Sequence, residues 1–166
     1  VSIRRPILFL LLGFLLSTSH FSIATEVFKA QTLDGESVRL SEYFEPHKWT
    51  LVMIWTTYCK VCAGQFPAIE ALHRKYIDKT LNVVGVAVDG FEYRDRVTAT
   101  LQQRHSTFTV LVGEIADIAA SVERATAEPF SGTPTYLLFN VEGELAARIS
   151  GPLETSAIER YISSIE

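Results

Sequence analysis

Cysteine is scarce in this chain: two residues in 166, Cys59 and Cys62. Two cysteines exclude a multi-bridge disulfide scaffold, and they fall short of the four nitrogen or sulfur ligands of a closed structural zinc site. The four histidines do not make up the difference. His20 lies in an apolar leader, and His47, His73 and His105 stand outside any ligand-spaced cluster. Neither a metal nor any other cofactor is expected. A basic footprint is missing too: 15 Lys and Arg are outnumbered by 19 Asp and Glu, which argues against nucleic acid as a partner. No repeat, low-complexity stretch or Pro/Gly/Ser linker divides residues 27–166, so they read as one domain.

A membrane-spanning run is also lacking. The apolar stretch Ile7 to Leu16 is shorter than the ~20 residues a spanning helix needs. Arg4 and Arg5 precede it as a basic n-region, and Ser22-Ile23-Ala24 follows as a small-x-small cleavage signal. Residues 1–24 therefore read as a secretory signal peptide and the remainder as an exported, periplasmic domain. Left uncleaved, residues 7–23 would instead serve as an anchor. No cysteine follows the apolar run to accept a lipid.

What is present carries more information. The two cysteines are spaced C-x-x-C in Trp55-Thr56-Thr57-Tyr58-Cys59-Lys60-Val61-Cys62, after a buried-strand pattern and before a helical one. This placement puts the first thiol at a helix N-terminus, where unpaired N–H groups and the macrodipole favour a thiolate. The second cysteine, one turn on, can attack a mixed disulfide formed by the first. A purely structural bridge is the weaker reading, because so short a loop removes little unfolded-state entropy.

Strand and helix patterns alternate along the rest. Val27 to Leu40 holds a turn signal, Thr32-Leu33-Asp34-Gly35-Glu36, between two short strand-like runs. Strands are expected at 50–55, 81–88 and 108–112. A hairpin is expected over 135–149, around Asn140-Val141-Glu142-Gly143-Glu144. Helical spacing follows Cys62, with Pro67 expected to kink it. Glu70 and His73 on that helix read as a solvated pair. Further helices are expected over 91–104, 115–122 and 154–165, the last with Ile158, Tyr161, Ile162 and Ile165 inward. The order argues for α/β class, a central mixed β-sheet flanked by helices.

From Val27 onward the chain resembles the thioredoxin-like superfamily, and within it the exported TlpA-like branch, which includes cytochrome c maturation thioredoxins. The residues that carry this are the hairpin at Thr32-Leu33-Asp34-Gly35, Trp55 four residues before Cys59, the C-x-x-C, and Pro67 five beyond Cys62. Gly132-Thr133-Pro134-Thr135 and the final hairpin and helix match as well. The helix and strand between Asp89 and Val112 look like that branch's extra insert. The residues before Cys59 do not resemble the peroxiredoxin pattern.

The resemblance implies a thioredoxin-like fold with an N-terminal hairpin and the helix–strand insert. It implies Cys59 as attacking thiol, Cys62 as buried resolving thiol, and a reversible disulfide between them. Trp55 and Tyr58 would form an apolar rim, with Lys60 and Val61 between the cysteines. Thr133 and a cis Pro134 would form the substrate-side loop. Two positions depart from the pattern. Met53 stands where plain thioredoxins place a buried acid, and Gln65 where many TlpA-like reductases place Glu. A Gln can hydrogen-bond but cannot take up a proton near neutral pH, so Cys62 must lose its proton to water or to a more distant group.

The expected activity is thiol–disulfide exchange, reducing disulfides of exported proteins such as apocytochrome c. Electrons would come from a membrane-embedded dithiol carrier, and the protein is expected to be a monomer. The alternatives are a dithiol oxidase or isomerase, and a non-catalytic module that binds cysteine-containing clients.

Overall fold

The computed structural model describes residues 28–165; the expected signal peptide lies outside them. Among the described residues seven strands form one sheet: β1 (Lys29–Gln31), β2 (Ser37–Arg39), β3 (Trp49–Trp55), β4 (Leu81–Ala87), β5 (Thr109–Val112), β6 (Thr135–Phe139) and β7 (Leu145–Ser150). Among the described residues four α-helices accompany them: α1 (Lys60–Tyr76), α2 (Arg94–Arg104), α3 (Ile115–Thr126) and α4 (Thr155–Ser163). The spatial strand order is β2-β1-β5-β4-β3-β6-β7.

All seven residues of β3 and all seven of β4 are buried. Their sequences are accordingly continuous apolar runs, as expected of strands covered on both faces. β3, β4 and β5 are parallel, and α1 and α2 supply the crossovers that parallel pairing requires. The β1–β2 hairpin turns at Gly35, whose φ of 96° lies in the region that favours glycine, and β1 pairs antiparallel with β5. β6 runs antiparallel to β3, and β7 to β6.

Period-2 alternation divides the core into two layers. Trp49, Leu51, Met53 and Trp55 of β3 pack with Phe66, Ile69 and Leu72 of α1, Val97 of α2, and Ile158 and Ile162 of α4. Val52 and Ile54 pack on the other side, with Val84, Val86, and Ile118 and Val122 of α3. Gly85 of β4 makes room for the first layer. A Cβ there would lie 2.8 Å from Val110 Cγ2 and 3.2 Å from Trp55 Nε1, so a side chain would displace the indole beneath the cysteines.

Two expectations are corrected. In α4, Ile158 and Ile162 face inward, but Tyr161 and Ile165 are exposed. The helix ends at Ser163, so Ile165 no longer keeps its phase, and Tyr161 meets Trp49 only edge-on at 6.0 Å. Glu70 and His73 are not solvated: they are 8% and 7% exposed. Glu70 accepts from the Thr107 backbone N–H at 2.9 Å, the Thr107 hydroxyl at 2.6 Å and Arg74 Nε at 2.6 Å, tying the approach to β5 onto α1. As expected, Pro67 lies inside α1, which continues to Tyr76.

Candidate redox site

β3, β4 and β5 run in parallel, so the segments after them collect at one end of the sheet, where α/β folds build their sites. After Trp55 the chain turns through Thr56, whose carbonyl accepts the Cys59 N–H at 3.1 Å. Cys59 has extended backbone and caps α1; its Sγ accepts the Cys62 N–H at 2.9 Å, and its carbonyl accepts the Ala63 N–H at 3.0 Å. A sulfur in the N-cap position faces the unpaired donors and positive end of the helix, which favours negative charge on it. Cys59 and Cys62 are joined by a disulfide, with Cα atoms 5.2 Å apart. The sulfurs are not equivalent: Cys59 is half-buried, whereas Cys62 is 0% exposed.

One side of Cys59 is a neutral wall. The Thr133–Pro134 peptide is cis, and the Thr133 carbonyl oxygen lies 3.5 Å from Cys59 Sγ. The Thr135 hydroxyl donates to the Gly132 carbonyl at 2.6 Å, closing the loop on itself. Behind it, Gln65 Oε1 accepts from the Tyr136 hydroxyl at 3.1 Å and from the Leu153 N–H at 2.7 Å. Burial pushes the Tyr136 phenol above its ordinary range, so it acts as a donor to Gln65 throughout the working pH range. Gln65 thus ties α1 to β6 and to the segment before α4.

The opposite side carries charge. Asp89 follows β4, and its carboxylate accepts the Thr57 N–H at 3.1 and 3.2 Å as well as the Thr57 hydroxyl. These bonds pin the turn that carries Cys59. Gly90, with φ of 87°, then bends the chain into a short 3₁₀ turn and α2. From α2, the Arg96 guanidinium carbon lies 4.7 Å from the Tyr58 ring centroid and 4.6 Å from that of Tyr93.

The expected site residues divide accordingly. Cys59, Cys62, Thr133 and Pro134 come together, with Gln65 behind them; Tyr58, Lys60 and Val61 are exposed on the outer side. Trp55 is not on the rim. At 1% exposed it lies edge-on to Phe66, centroids 4.8 Å apart, because β3's alternation directs it into the core with Met53. It supports the site from below. Asp89, Tyr93, Arg96 and Tyr136 were not anticipated. Asp89 carried a usable signal, an acidic residue at the end of a buried strand run; the others required tertiary structure.

Among the described residues no group of three or more His, Cys, Asp or Glu could hold a metal ion. A sequence model of the AhpC/TSA family matches residues 23–148. The chain belongs to the AhpC/TSA family. Similar proteins include the thiol-disulfide oxidoreductase ResA of Oceanobacillus iheyensis, 24% identical over 139 residues, covering 82% of this chain and 66% of that protein. ResA of Geobacillus kaustophilus is 26% identical over 174 residues, covering 98% of this chain and 94% of that one. Among solved structures, a thiol:disulfide interchange protein of the thioredoxin family from Chlorobium tepidum has a TM-score of 0.67 at 18% identity, covering 82% of this chain and 91% of its own. The fold is thioredoxin-like: a mixed sheet with flanking helices.

Proposed function

We propose that this thiol–disulfide oxidoreductase works as a reductant of disulfides in exported proteins, with Cys59 attacking and Cys62 resolving. The observation that carries this reading is the inequality of the two sulfurs, one half-buried at the helix N-cap and one fully enclosed. In the reduced protein the Cys59 thiolate attacks one sulfur of a client disulfide. The client S–S bond breaks as the mixed disulfide forms, and the displaced client sulfur leaves as a thiolate that takes up a proton. Cys62, once deprotonated, attacks Cys59 Sγ and expels the second client thiolate. Two electrons pass to the client, and the Cys59–Cys62 bridge remains. An extended client segment would lie between the Thr133–Pro134 loop and the exposed Tyr58, Lys60 and Val61.

Met53 and Gln65 leave no carboxylate at either position where the resembling proteins place a proton acceptor for the resolving thiol. Water or a more distant group therefore takes the Cys62 proton, and resolution is slow. Residues 1–24 fit an export signal, with the periplasm as destination; a segment left uncleaved would act as an anchor. Among the described residues, no helix is long and apolar enough to cross a membrane. A membrane-embedded dithiol carrier would return the bridge to the dithiol, and clients such as apocytochrome c would consume its electrons. The protein would act as a monomer.

The test is the reduction potential of the Cys59–Cys62 couple, by thiol trapping in defined redox buffers at neutral pH. A value near about −270 mV supports a reductant, and one near about −120 mV makes disulfide donation the activity instead. Cys62→Ser should accumulate a mixed disulfide through Cys59. A Cys59→Ser, Cys62→Ser double variant that kept full client binding and all biological effect would turn the assignment to a binding module.

A further inference from the structure

We infer that Arg96 determines client specificity, favouring extended segments that carry a carboxylate beside the cysteine under attack. The inference rests on the reading that clients form a mixed disulfide with Cys59. Tyr58 immediately precedes Cys59 and is 72% exposed, so its ring would be among the first surfaces met by the residues flanking a client cysteine. Arg96 lies against that ring and against Tyr93, from an element outside the C-x-x-C segment. Two aromatic contacts order a long side chain before any client arrives, reducing the entropy that binding would otherwise cost.

The charge is also free for a ligand. Among the described residues, no Asp or Glu forms an ion pair with Arg96, and three acids of the surrounding segments are engaged elsewhere. Asp89 accepts from Thr57, Glu114 from the Phe91 N–H at 3.2 Å, and Asp95 faces Arg94 at 3.9 Å. Ring contacts use the π-system and leave guanidinium N–H donors available. Those donors form a planar fork that matches a carboxylate in a bidentate arrangement. Lys60, exposed on the first turn of α1, adds charge of the same sign. The Thr133–Pro134 wall offers no charged group in the segment Gly132–Thr135. Selection by side-chain charge therefore falls to the Arg96 side.

The probes are two disulfide-linked peptide dimers, identical except that the residues flanking the cysteine are Glu in one and Gln in the other. Single-turnover rates with the reduced protein are measured against peptide concentration, each normalised to the same peptide's rate with dithiothreitol. The normalisation removes the intrinsic effect of Glu on disulfide reactivity. The Glu peptide should react about three- to fivefold faster at subsaturating concentration, the range an exposed charge pair contributes. The gain should lie in apparent affinity rather than in the limiting rate, and should shrink at high salt. Arg96→Gln should bring the ratio to within about twofold of unity; Tyr93→Ala, which leaves the charge but removes one ring, should lower it part-way. Equal rates for the two peptides with the parent protein, or a preference that survives Arg96→Gln, overturns the inference and leaves the reductase reading standing. Failure to reduce either peptide overturns both.

Discussion

The two walls beside Cys59 are built from different materials. On one side stand a backbone carbonyl, a proline and a neutral glutamine–tyrosine pair, all joined to the core. On the other, Asp89 holds the turn and an exposed arginine lies against two tyrosines. Peptide groups look alike from one client to the next, so a backbone wall suits any extended chain. Side-chain charge discriminates. Substitutions behind the first wall, and at Asp89, which holds the turn, should therefore change stability and the rate on every client, whereas substitution of the exposed arginine should change the choice among clients.

The largest effect is expected where the neutral wall and both cysteines share a foundation. Phe66 contacts Trp55 edge-on and stacks on Phe108 at 5.9 Å, directly under the start of α1. Phe66→Ala should cost about 3–5 kcal/mol in urea unfolding, since a buried aromatic is lost and a cavity left. A cost below about 1 kcal/mol would mean that α1 is held by its ends rather than by this layer.

Gln65 gives the next effect, and its two substitutions separate structure from chemistry. Gln65→Leu removes the acceptor for the Tyr136 hydroxyl and the Leu153 N–H, and should destabilise by about 1–3 kcal/mol. Gln65→Glu keeps an acceptor for both donors and adds a base on the same face as Cys62. Resolution of the mixed disulfide, followed by stopped flow, should accelerate about tenfold or more, within what a positioned base supplies. An unchanged rate would place the proton acceptor elsewhere.

How much of this was legible in the sequence follows the range of the interactions. The C-x-x-C, the buried strands and the helical spacings are local patterns, and the elements lie within a few residues of where those patterns put them. The shared first layer of Trp55 and Phe66 was harder to read, because an exposed rim and a buried support draw on the same aromatic residue. Glu70 and His73 were misread for a related reason. At i and i+3 they resemble a solvated pair, and it takes Thr107, 37 positions from Glu70, together with Arg74 to make burial of the carboxylate tolerable. Arg96 left no trace at all. Its partners Tyr58 and Tyr93 flank a strand and a helix that had to be folded together first.

On the charged side, Asp89→Asn should cost about 1 kcal/mol, because a carboxylate taking both Thr57 donors becomes a neutral amide with one acceptor. Asp89 acts on the cysteines only through the turn. Its loss should therefore slow attack on acidic and neutral peptides in equal proportion, with the ratio between them unchanged. A changed ratio would place Asp89, beside Arg96, among the groups that choose clients.

The smallest effect lies at the far end of α1, beneath both walls, and it guards the comparison against acid unfolding. Burial, aided by Arg74, holds the His73 imidazole below its ordinary value of 6.5, against the opposing pull of Glu70 and Glu45. Its Nδ1 is buried without a hydrogen-bond partner among the described residues, so protonation inside the fold gains nothing there. The unfolded chain binds this proton first as pH falls, so the folded state loses stability from about pH 6.5 downward. Burial raises the Glu70 pKa, but its Thr107 and Arg74 donors outweigh burial and hold it below 4.5. Its contribution is present above that value and fades only at lower pH. The two groups thus destabilise the same helix in successive pH windows. His73→Leu should flatten the loss of stability between pH 7.5 and 5 while leaving the steeper loss near pH 4 in place, read by urea midpoints across the range. If the slope between pH 7.5 and 5 is unchanged, His73 is charged in the fold and its neutral, unpartnered state is wrong.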